Sequence, residues 1–226
     1  MKKTVLFIVA LCAAMSTRAE SYSVTLDFPY TTKYVFRGVE LAKGSFQPSV
    51  EVSSGGFSAG MWTSQPVTDN IDNEIDFYAG YTTTLKEGWS LDTGVVLYYY
   101  PELDTGGGAD EATWEPYVGL SGDVGGVSPG VYLYYDLTLK VLTVEGQLGY
   151  SVALEPAGAS LDFSAALGRV DPKAGSGYTY YSLGVSVPFK ISERGTLTLG
   201  ANYAHNDISG LDNSHFFGTI GVAIGF

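Results

Sequence analysis

Apolar and polar side chains alternate along most of the chain, in short segments separated by turn-forming residues. The first segment spans residues 22–37 and carries an apolar or aromatic side chain at nearly every second position. Successive side chains of a β-strand point to opposite faces, so this alternation predicts one long strand with a bend at Pro29.

Eleven further segments show the same alternation, which predicts twelve strands in all, or ten if one hairpin is misassigned. Segments of about ten residues with this rhythm are the sequence signature of a transmembrane β-barrel, and single-chain bacterial barrels have an even number of strands. The further predicted strands are residues 46–53, 57–64, 74–85, 89–99, 112–121, 127–136, 140–153, 159–167, 178–189, 196–204 and 214–226.

The connections between these strands alternate in length. Connections after even-numbered strands are short, and those after odd-numbered strands are longer, except for the link near Thr138 after the seventh strand. Outer-membrane barrels have short turns at one end and long loops at the other. A soluble β-sandwich has no reason to vary its loop length with strand parity, so this pattern favours the barrel.

The last segment ends on an aromatic residue at the chain's final position. Val222, Ile224 and Phe226 lie on one face of this predicted strand, together with Phe216 and Ile220. The pattern resembles the C-terminal signal by which the barrel-assembly machinery of bacteria with an outer membrane recognises its substrates. Val222, Ile224 and Phe226 are therefore a candidate insertion signal, and the barrel-assembly machinery and outer-membrane lipid are expected partners.

The two faces of the predicted strands differ in chemistry. One face is apolar throughout, whereas the other carries carboxylates, amides, hydroxyls and glycines, an alternation that a soluble sandwich would also show. Aromatic residues near the strand ends (Tyr81, Trp89, Tyr99 and Trp114) and the scarcity of Lys and Arg on the polar face favour a membrane. The expected fold is all-β, a closed antiparallel transmembrane β-barrel, with a secreted soluble sandwich as the alternative.

The N-terminal residues have the features of a secretory signal. Lys2 and Lys3 precede an apolar stretch, and Thr17-Arg18-Ala19 supplies a cleavage site, which predicts a signal peptide at residues 1–19 and a barrel domain at residues 20–226. A lipoprotein would use Cys12, but Leu11 is a poor residue before such a cysteine. Cleavage after residue 19 removes the only cysteine, so neither a disulfide nor a thiolate metal site is expected in the exported chain.

Charge narrows the range of functions. The chain has 24 acidic and 12 basic residues, which excludes a nucleic-acid partner because phosphate requires the opposite sign. Acidic residues on the polar face predict an aqueous pore that passes small hydrophilic solutes by passive diffusion and prefers cations. The candidate pore-lining residues are Lys33, Arg37, Glu51, Asp76, Asp92, Glu115, Glu145 and Asp162.

Two alternatives to an open pore remain. In the first, Lys33 and Arg37 pair with carboxylates and plug the lumen, which inward-pointing Tyr78, Tyr98, Tyr117 and Phe217 narrow further; such a barrel would have a structural or surface-interaction role. An outer-membrane lipid enzyme would use the cluster of His205, Asp212, Ser214 and His215 for catalysis or to hold a metal. Ser214 and His215 are adjacent, so their side chains leave opposite faces of a strand, and we expect neither an enzyme nor a metal site.

The remaining motifs carry no further chemistry. The loop at residues 104–111 has the composition of a calcium loop but lacks the spacing of its ligands. The sequence contains no phosphate-binding loop, nucleotide fingerprint or nucleophile elbow. No cofactor is therefore expected.

Four stretches together resemble the TorF-like porin family. They are TTKYVFRGV at residues 31–39, EIDFYAGY at 74–81, VLYYYP at 96–101 and WEPYVGL at 114–120, in the order and approximate spacing of that family. The resemblance is strongest over residues 22–136 and loose beyond. It implies a β-barrel channel in the bacterial outer membrane, and it carries no agreed catalytic residues.

Overall fold

The computed structural model describes residues 21–68, 71–86, 88–103, 110–155 and 158–226. The predicted signal peptide lies outside the described residues, as do residues 104–109 of the glycine-rich loop. Within the described ranges, no helix is long and apolar enough to cross a membrane.

The described residues form sixteen β-strands. In chain order these are β1 (Ser23–Asp27), β2 (Tyr30–Thr31), β3 (Tyr34–Phe36), β4 (Val39–Ala42), β5 (Ser45–Phe46), β6 (Ser49–Ser54), β7 (Phe57–Pro66), β8 (Glu74–Thr84), β9 (Trp89–Tyr99), β10 (Ala112–Gly122), β11 (Val127–Asp136), β12 (Val141–Leu154), β13 (Ala159–Pro172), β14 (Tyr178–Lys190), β15 (Gly195–Asn206) and β16 (Ser214–Gly225).

These strands close into a barrel. From β6 to β16 each strand pairs antiparallel with the next, and β1 pairs with both β6 and β16. The first barrel strand is β1 continued by β2, and the second is β5 continued by β6, so that the barrel has twelve strands, as predicted. Closure gives the backbone N–H and C=O groups partners within the wall, which hydrocarbon requires because it offers none.

The barrel has its apolar side chains on the outside. Large exposed apolar residues lie along its outer wall, among them Phe216, which is 75% exposed, while the buried residues are mostly polar and include Glu74, Asp76 and Glu115. A soluble sandwich would bury its apolar face and expose its polar one. The inverted arrangement confirms the transmembrane barrel that the sequence predicts.

The predicted first strand is wrong in its second half. β2 ends at Thr31, whose hydroxyl donates to the carbonyl of Lys33 at 2.6 Å and helps to turn the chain away from the wall. Residues 34–42 then form the separate β3–β4 hairpin, so Lys33 and Arg37 are not on the first barrel strand as predicted. We call β3 and β4 with their turn the inner hairpin.

The inner hairpin has a tight two-residue turn. Arg37 and Gly38 both have positive φ, 47° and 79°, which is the backbone of a type I′ turn between antiparallel strands. Positive φ is strained for a residue with a side chain, so surrounding contacts must hold Arg37 in place.

Candidate functional site

The polar face of the barrel wall carries a repeated arrangement of three residues on three neighbouring strands. In each case a glycine lies directly opposite a tyrosine on the next strand and an acidic residue on the preceding one. We call these the acid–glycine–tyrosine rows; they are Glu51–Gly60–Tyr78, Asp92–Gly119–Tyr132 and Glu145–Gly168–Tyr180.

The tyrosine of each row reaches over its glycine to the acid. The hydroxyl of Tyr78 donates to Glu51 at 3.2 Å and that of Tyr132 to Asp92 at 3.0 Å. Tyr180 donates to Glu145 in the same way. Contacts between strands that are not neighbours form on the concave side of the wall, so these three predicted acids face the lumen.

Glycine is required at the middle of each row because the ring occupies the place of its side chain. A Cβ atom added to Gly119 would overlap the ring of Tyr132, and one added to Gly60 or Gly168 would overlap the tyrosine opposite. Tyr117 lies over Gly94 by the same rule. Tyr78 and Tyr117, which the sequence predicted to narrow the bore, therefore lie along the wall.

The inner hairpin contacts several sides of the lumen. On one side, the carbonyl of Gly38 accepts a hydrogen bond from Asn206 of β15 at 2.6 Å. On another, Phe36 packs against Tyr98 of β9 with ring centroids 5.9 Å apart, and Tyr34 packs against Trp62 of β7 at 5.4 Å. The hairpin thus lies within the barrel, at the end where β9, β14 and β15 meet their longer connections.

Arg37 fastens the tip of the inner hairpin to the wall. Its guanidinium donates two hydrogen bonds to Glu115 of β10, at 2.8 and 2.7 Å, and lies 4.9 Å from the ring centroid of Tyr134. Both side chains are buried, with 12% and 2% exposure. Burial lowers the pKa of Arg37, but the hydrogen bonds and charge of Glu115 outweigh burial and hold that pKa above its usual value, so the group stays cationic.

A second ion-pair group ties the base of the hairpin. Glu40 accepts a hydrogen bond from Lys33 at 2.7 Å and lies 3.1 Å from Nδ1 of the buried His215 on β16. Both predicted cations of the site therefore pair with carboxylates, as the plugged-lumen alternative expected. Glu40 and His215 were not among the predicted pore-lining residues.

Most of the remaining lumen carboxylates have hydroxyl or amide partners. Asp92 also accepts hydrogen bonds from Thr82 and Ser121, both at 2.8 Å, and Asp162 accepts one from Ser151 at 2.6 Å. Glu74 and Asp76 lie at alternate positions of β8, near the inner hairpin, and both are buried. Within the described residues, the three ion pairs use only Glu40 and Glu115, so the lumen keeps a surplus of negative charge.

Open space remains beside the hairpin. A cavity of about 180 Å³ lies next to Arg37 and Gly38 and is lined on the wall side by Glu145, Tyr180 and Asn202. The tip of the hairpin narrows this part of the lumen without filling it.

The predicted histidine cluster comes together only in part, because His205 and Ser214 meet while His215 lies apart from them. His215 faces the inside of the barrel, while Ser214, the next residue, bonds His205 Nδ1 at 3.0 Å and Tyr203 at 3.2 Å on an exposed part of the wall. The expected separation of Ser214 from His215 is thus seen. Among the described residues there is no group of three acidic, histidine or cysteine side chains that could hold a metal ion.

The sequence did not predict the role of the glycines in the acid–glycine–tyrosine rows or the contact of Asn206 with the inner hairpin. A glycine on the polar face could be recognised from alternation, but its tyrosine partner follows only from register, which the sequence does not give. The Arg37–Gly38 dipeptide between two short apolar runs was a signal for a hairpin turn that could have been used.

The strands define a closed, twelve-stranded antiparallel transmembrane β-barrel, and comparison with solved structures shows the same fold. A NanC porin has a TM-score of 0.61 and 16% identity, covering 88% of this chain and 98% of that one. A KdgM porin has a TM-score of 0.58 and 12% identity, covering 89% and 99%. The COG4313 outer membrane channel from Pseudomonas putida F1 has a TM-score of 0.56 and 9% identity, covering 93% and 97%.

The family is shown by a model that matches residues 15–218. The chain belongs to the family described as "Bacterial protein of unknown function (Gcw_chp)". No curated protein matches the sequence.

Proposed function

We propose that this protein is an outer-membrane porin that passes small hydrophilic solutes by passive diffusion, prefers cations, and is constricted by its inner hairpin. The observation that carries the proposal is the surplus of carboxylates on the inner wall of a closed barrel. Among the described residues, the partners of Glu51, Asp92, Glu145 and Asp162 are hydroxyl and amide groups, so no described cation neutralises their charge. Fixed charge between low-dielectric walls concentrates counter-ions.

The ligand bound in one structural neighbour offers a contrast with the proposed preference for cations. A KdgM porin, with 11% identity to this chain, has been solved in complex with disordered oligogalacturonate, which is a polyanion. A lumen with surplus carboxylates repels such a molecule. We therefore expect cations and neutral solutes to pass here in preference to acidic oligosaccharides.

Kinship with TorF-like porins is part of the proposal. The four stretches that carry the resemblance supply the parts of the constriction: the inner hairpin, β8 with Asp76, the end of β9 with Tyr98, and β10 with Glu115. These stretches are far apart in sequence but meet at the constriction, so a shared constriction would account for the resemblance.

Export and insertion complete the proposal. Residues 1–19 would direct export and leave the barrel domain at residues 20–226, and Val222, Ile224 and Phe226 would mark the last strand for the barrel-assembly machinery. The backbone of Phe226 exchanges hydrogen bonds with Val24, at 2.9 and 3.1 Å, which places this residue at the seam where the barrel closes.

The proposal is tested by measuring ion conductance of the refolded protein in a planar bilayer under a salt gradient. Discrete current steps with a reversal potential that favours cations are expected. An anion-favouring reversal potential would contradict the acidic-lumen argument. Asp92→Asn should reduce the cation preference. The control is Asp171→Asn, at the loop end of β13, which should leave that preference unchanged.

A closed barrel is the second candidate. The inner hairpin favours it, since its tip and base are both tied to the wall by ion pairs and Arg37 makes two short hydrogen bonds. A folded, heat-modifiable protein that passes no current would support this candidate and would give the barrel a structural or surface-interaction role.

A further inference from the structure

One carboxylate in the lumen is buried without a partner. Asp76 is 8% exposed, and its Oδ1 atom has no hydrogen-bond partner among the described residues. Removing a charged group from water is costly unless a partner compensates it, so a carboxyl group in this condition either holds a proton or is compensated by a bound cation. The described ion pairs do not supply one, because Arg37 is engaged by Glu115 and Lys33 by Glu40.

Neighbouring groups add to the negative charge around Asp76. Glu74, two residues earlier on the same face of β8, is 3% exposed and accepts a hydrogen bond from Tyr100 at 2.8 Å. Burial raises the pKa of Tyr34 and of Tyr100, and the charges of Glu74 and Asp76 raise both further.

Aromatic rings surround the same two carboxylates. Trp62 and Tyr98 lie directly opposite Asp76 on the two neighbouring strands, β7 and β9. The ring of Tyr34, on the inner hairpin, packs against that of Trp62. The negative faces of tryptophan and tyrosine rings attract cations, and ammonium groups are bound in proteins by such cages.

Space for a ligand is present beside Glu74, the neighbour of Asp76 on the same face of β8. A cavity of about 440 Å³ lies between the inner hairpin and the wall, and its lining includes Tyr34, Ser64, Glu74 and Tyr100. The lining argues against a hard metal ion, which prefers six or more oxygen ligands, because it combines two carboxylates and three hydroxyl groups with the apolar side chains of Leu41, Ala42, Pro66 and Ile71.

We propose that Glu74, Asp76 and the rings of Tyr34 and Trp62 form a binding subsite for a small organic cation that carries an ammonium group. The inference deepens the proposed function, on which it rests: a solute of this class would pause at the mouth before passing the constriction. Electrostatic attraction by Asp76 and Glu74 supplies affinity, and the rings select an organic ammonium over a hydrated inorganic ion.

The test measures binding and current separately. n-Butylammonium is titrated into the refolded protein in detergent by calorimetry, with n-butanol as the neutral probe of similar shape. Saturable binding of the cation alone is expected, and Asp76→Asn should weaken it by at least about tenfold. The matched control is Asp162→Asn, at a lumen carboxylate that has a hydroxyl partner, and it should bind as the wild type does.

Three results would overturn the subsite. The first is equal binding of n-butanol, and the second is unchanged binding of n-butylammonium by Asp76→Asn. The third is an equal loss of binding in Asp162→Asn, because the loss would then come from the overall charge of the lumen. A cation-selective pore that does not bind n-butylammonium would leave the proposed function standing without the subsite. Saturable binding that depends on Asp76, in a protein that passes no current, would support the subsite and refute the pore. Removal of an uncompensated buried charge is not expected to prevent folding, and heat modifiability checks this.

Discussion

Replacing Arg37 with Gln tests whether the inner hairpin controls the lumen. The substitution removes the cation and both short hydrogen bonds to Glu115, while Tyr98 continues to donate to Glu115 at 2.9 Å. Breaking a buried ion pair by removing one partner costs roughly 3–5 kcal/mol, because the remaining charge is left buried. With side-chain exposures of 12% for Arg37 and 2% for Glu115, most of this pair is shielded from water.

That free energy should act on the hairpin and leave the wall largely unaffected. The wall is held by continuous ladders of backbone hydrogen bonds between twelve strands, whereas the hairpin is a separate two-stranded sheet. Since each 1.4 kcal/mol corresponds to about a tenfold change in an equilibrium constant, the ratio of docked to released hairpin should fall roughly a hundredfold or more. The open probability or the conductance should rise, with little change in the thermal unfolding temperature of the barrel.

Selectivity gives a second readout of the same substitution. Arg37→Gln removes positive charge from the constriction, so cation preference should increase, whereas Glu115→Gln should also release the hairpin but decrease that preference. The double variant measures the coupling energy of the pair. Arg169→Gln is the matched control, because Arg169 is exposed and has no carboxylate partner among the described ion pairs.

Single-channel recording in a planar bilayer checks the prediction, with heat modifiability on gels as the measure of folding. Wild-type conductance and selectivity in Arg37→Gln would refute the reasoning. A large fall in barrel stability with no change in current would show that the Arg37–Glu115 pair braces the wall and does not hold a movable constriction.

Three further substitutions test other parts of the structure. Gly38→Ala would place a Cβ atom 2.7 Å from Cβ of Tyr180, in a backbone conformation with positive φ. We therefore expect this substitution to displace the hairpin and raise the current. Gly210→Ala is the control, because Gly210 also has a positive φ of +85° but no atom within 4 Å of the added Cβ, and the current should not change. Gly119→Leu should destabilise the barrel by about 1–3 kcal/mol through overlap with the ring opposite, measured as a lower unfolding temperature in detergent. Phe226→Ser should lower the amount of barrel assembled in cells, while refolding of the purified chain into detergent stays close to normal; an equal loss in both assays would refute an insertion signal.

The barrel itself could be predicted from local alternation, and the contacts of its lumen could not. The alternation of apolar and polar residues is clear in segments such as β8 and β9, and the predicted bounds of β9 agree with the structure. The alternation also continued through Tyr34 and Phe36, which made the first strand look unbroken, although these residues belong to a hairpin that leaves the wall. A period of two marks any strand, whichever sheet it joins.

Long-range pairing explains the rest of the gap between sequence and structure. Arg37 and Glu115 are 78 residues apart, and their meeting depends on where the hairpin folds, for which there is no local signal. The sequence did identify both as lumen residues, but it assigned Arg37 to the wrong element. The acid–glycine–tyrosine rows depend on register across three strands, and each requires two pairings to be known.

In the proposed pore, the acid–glycine–tyrosine rows have an electrical consequence. Because each ring occupies the space over its glycine along the wall, we expect the resistance to current to be concentrated at the inner hairpin. Along a pore, most of an applied voltage falls across the narrowest section. In this barrel that section carries the charges of Lys33, Arg37 and Glu40. Moving one elementary charge through 100 mV is worth about 2.3 kcal/mol, so membrane voltage acts most strongly on the one part of the lumen that is separate from the wall.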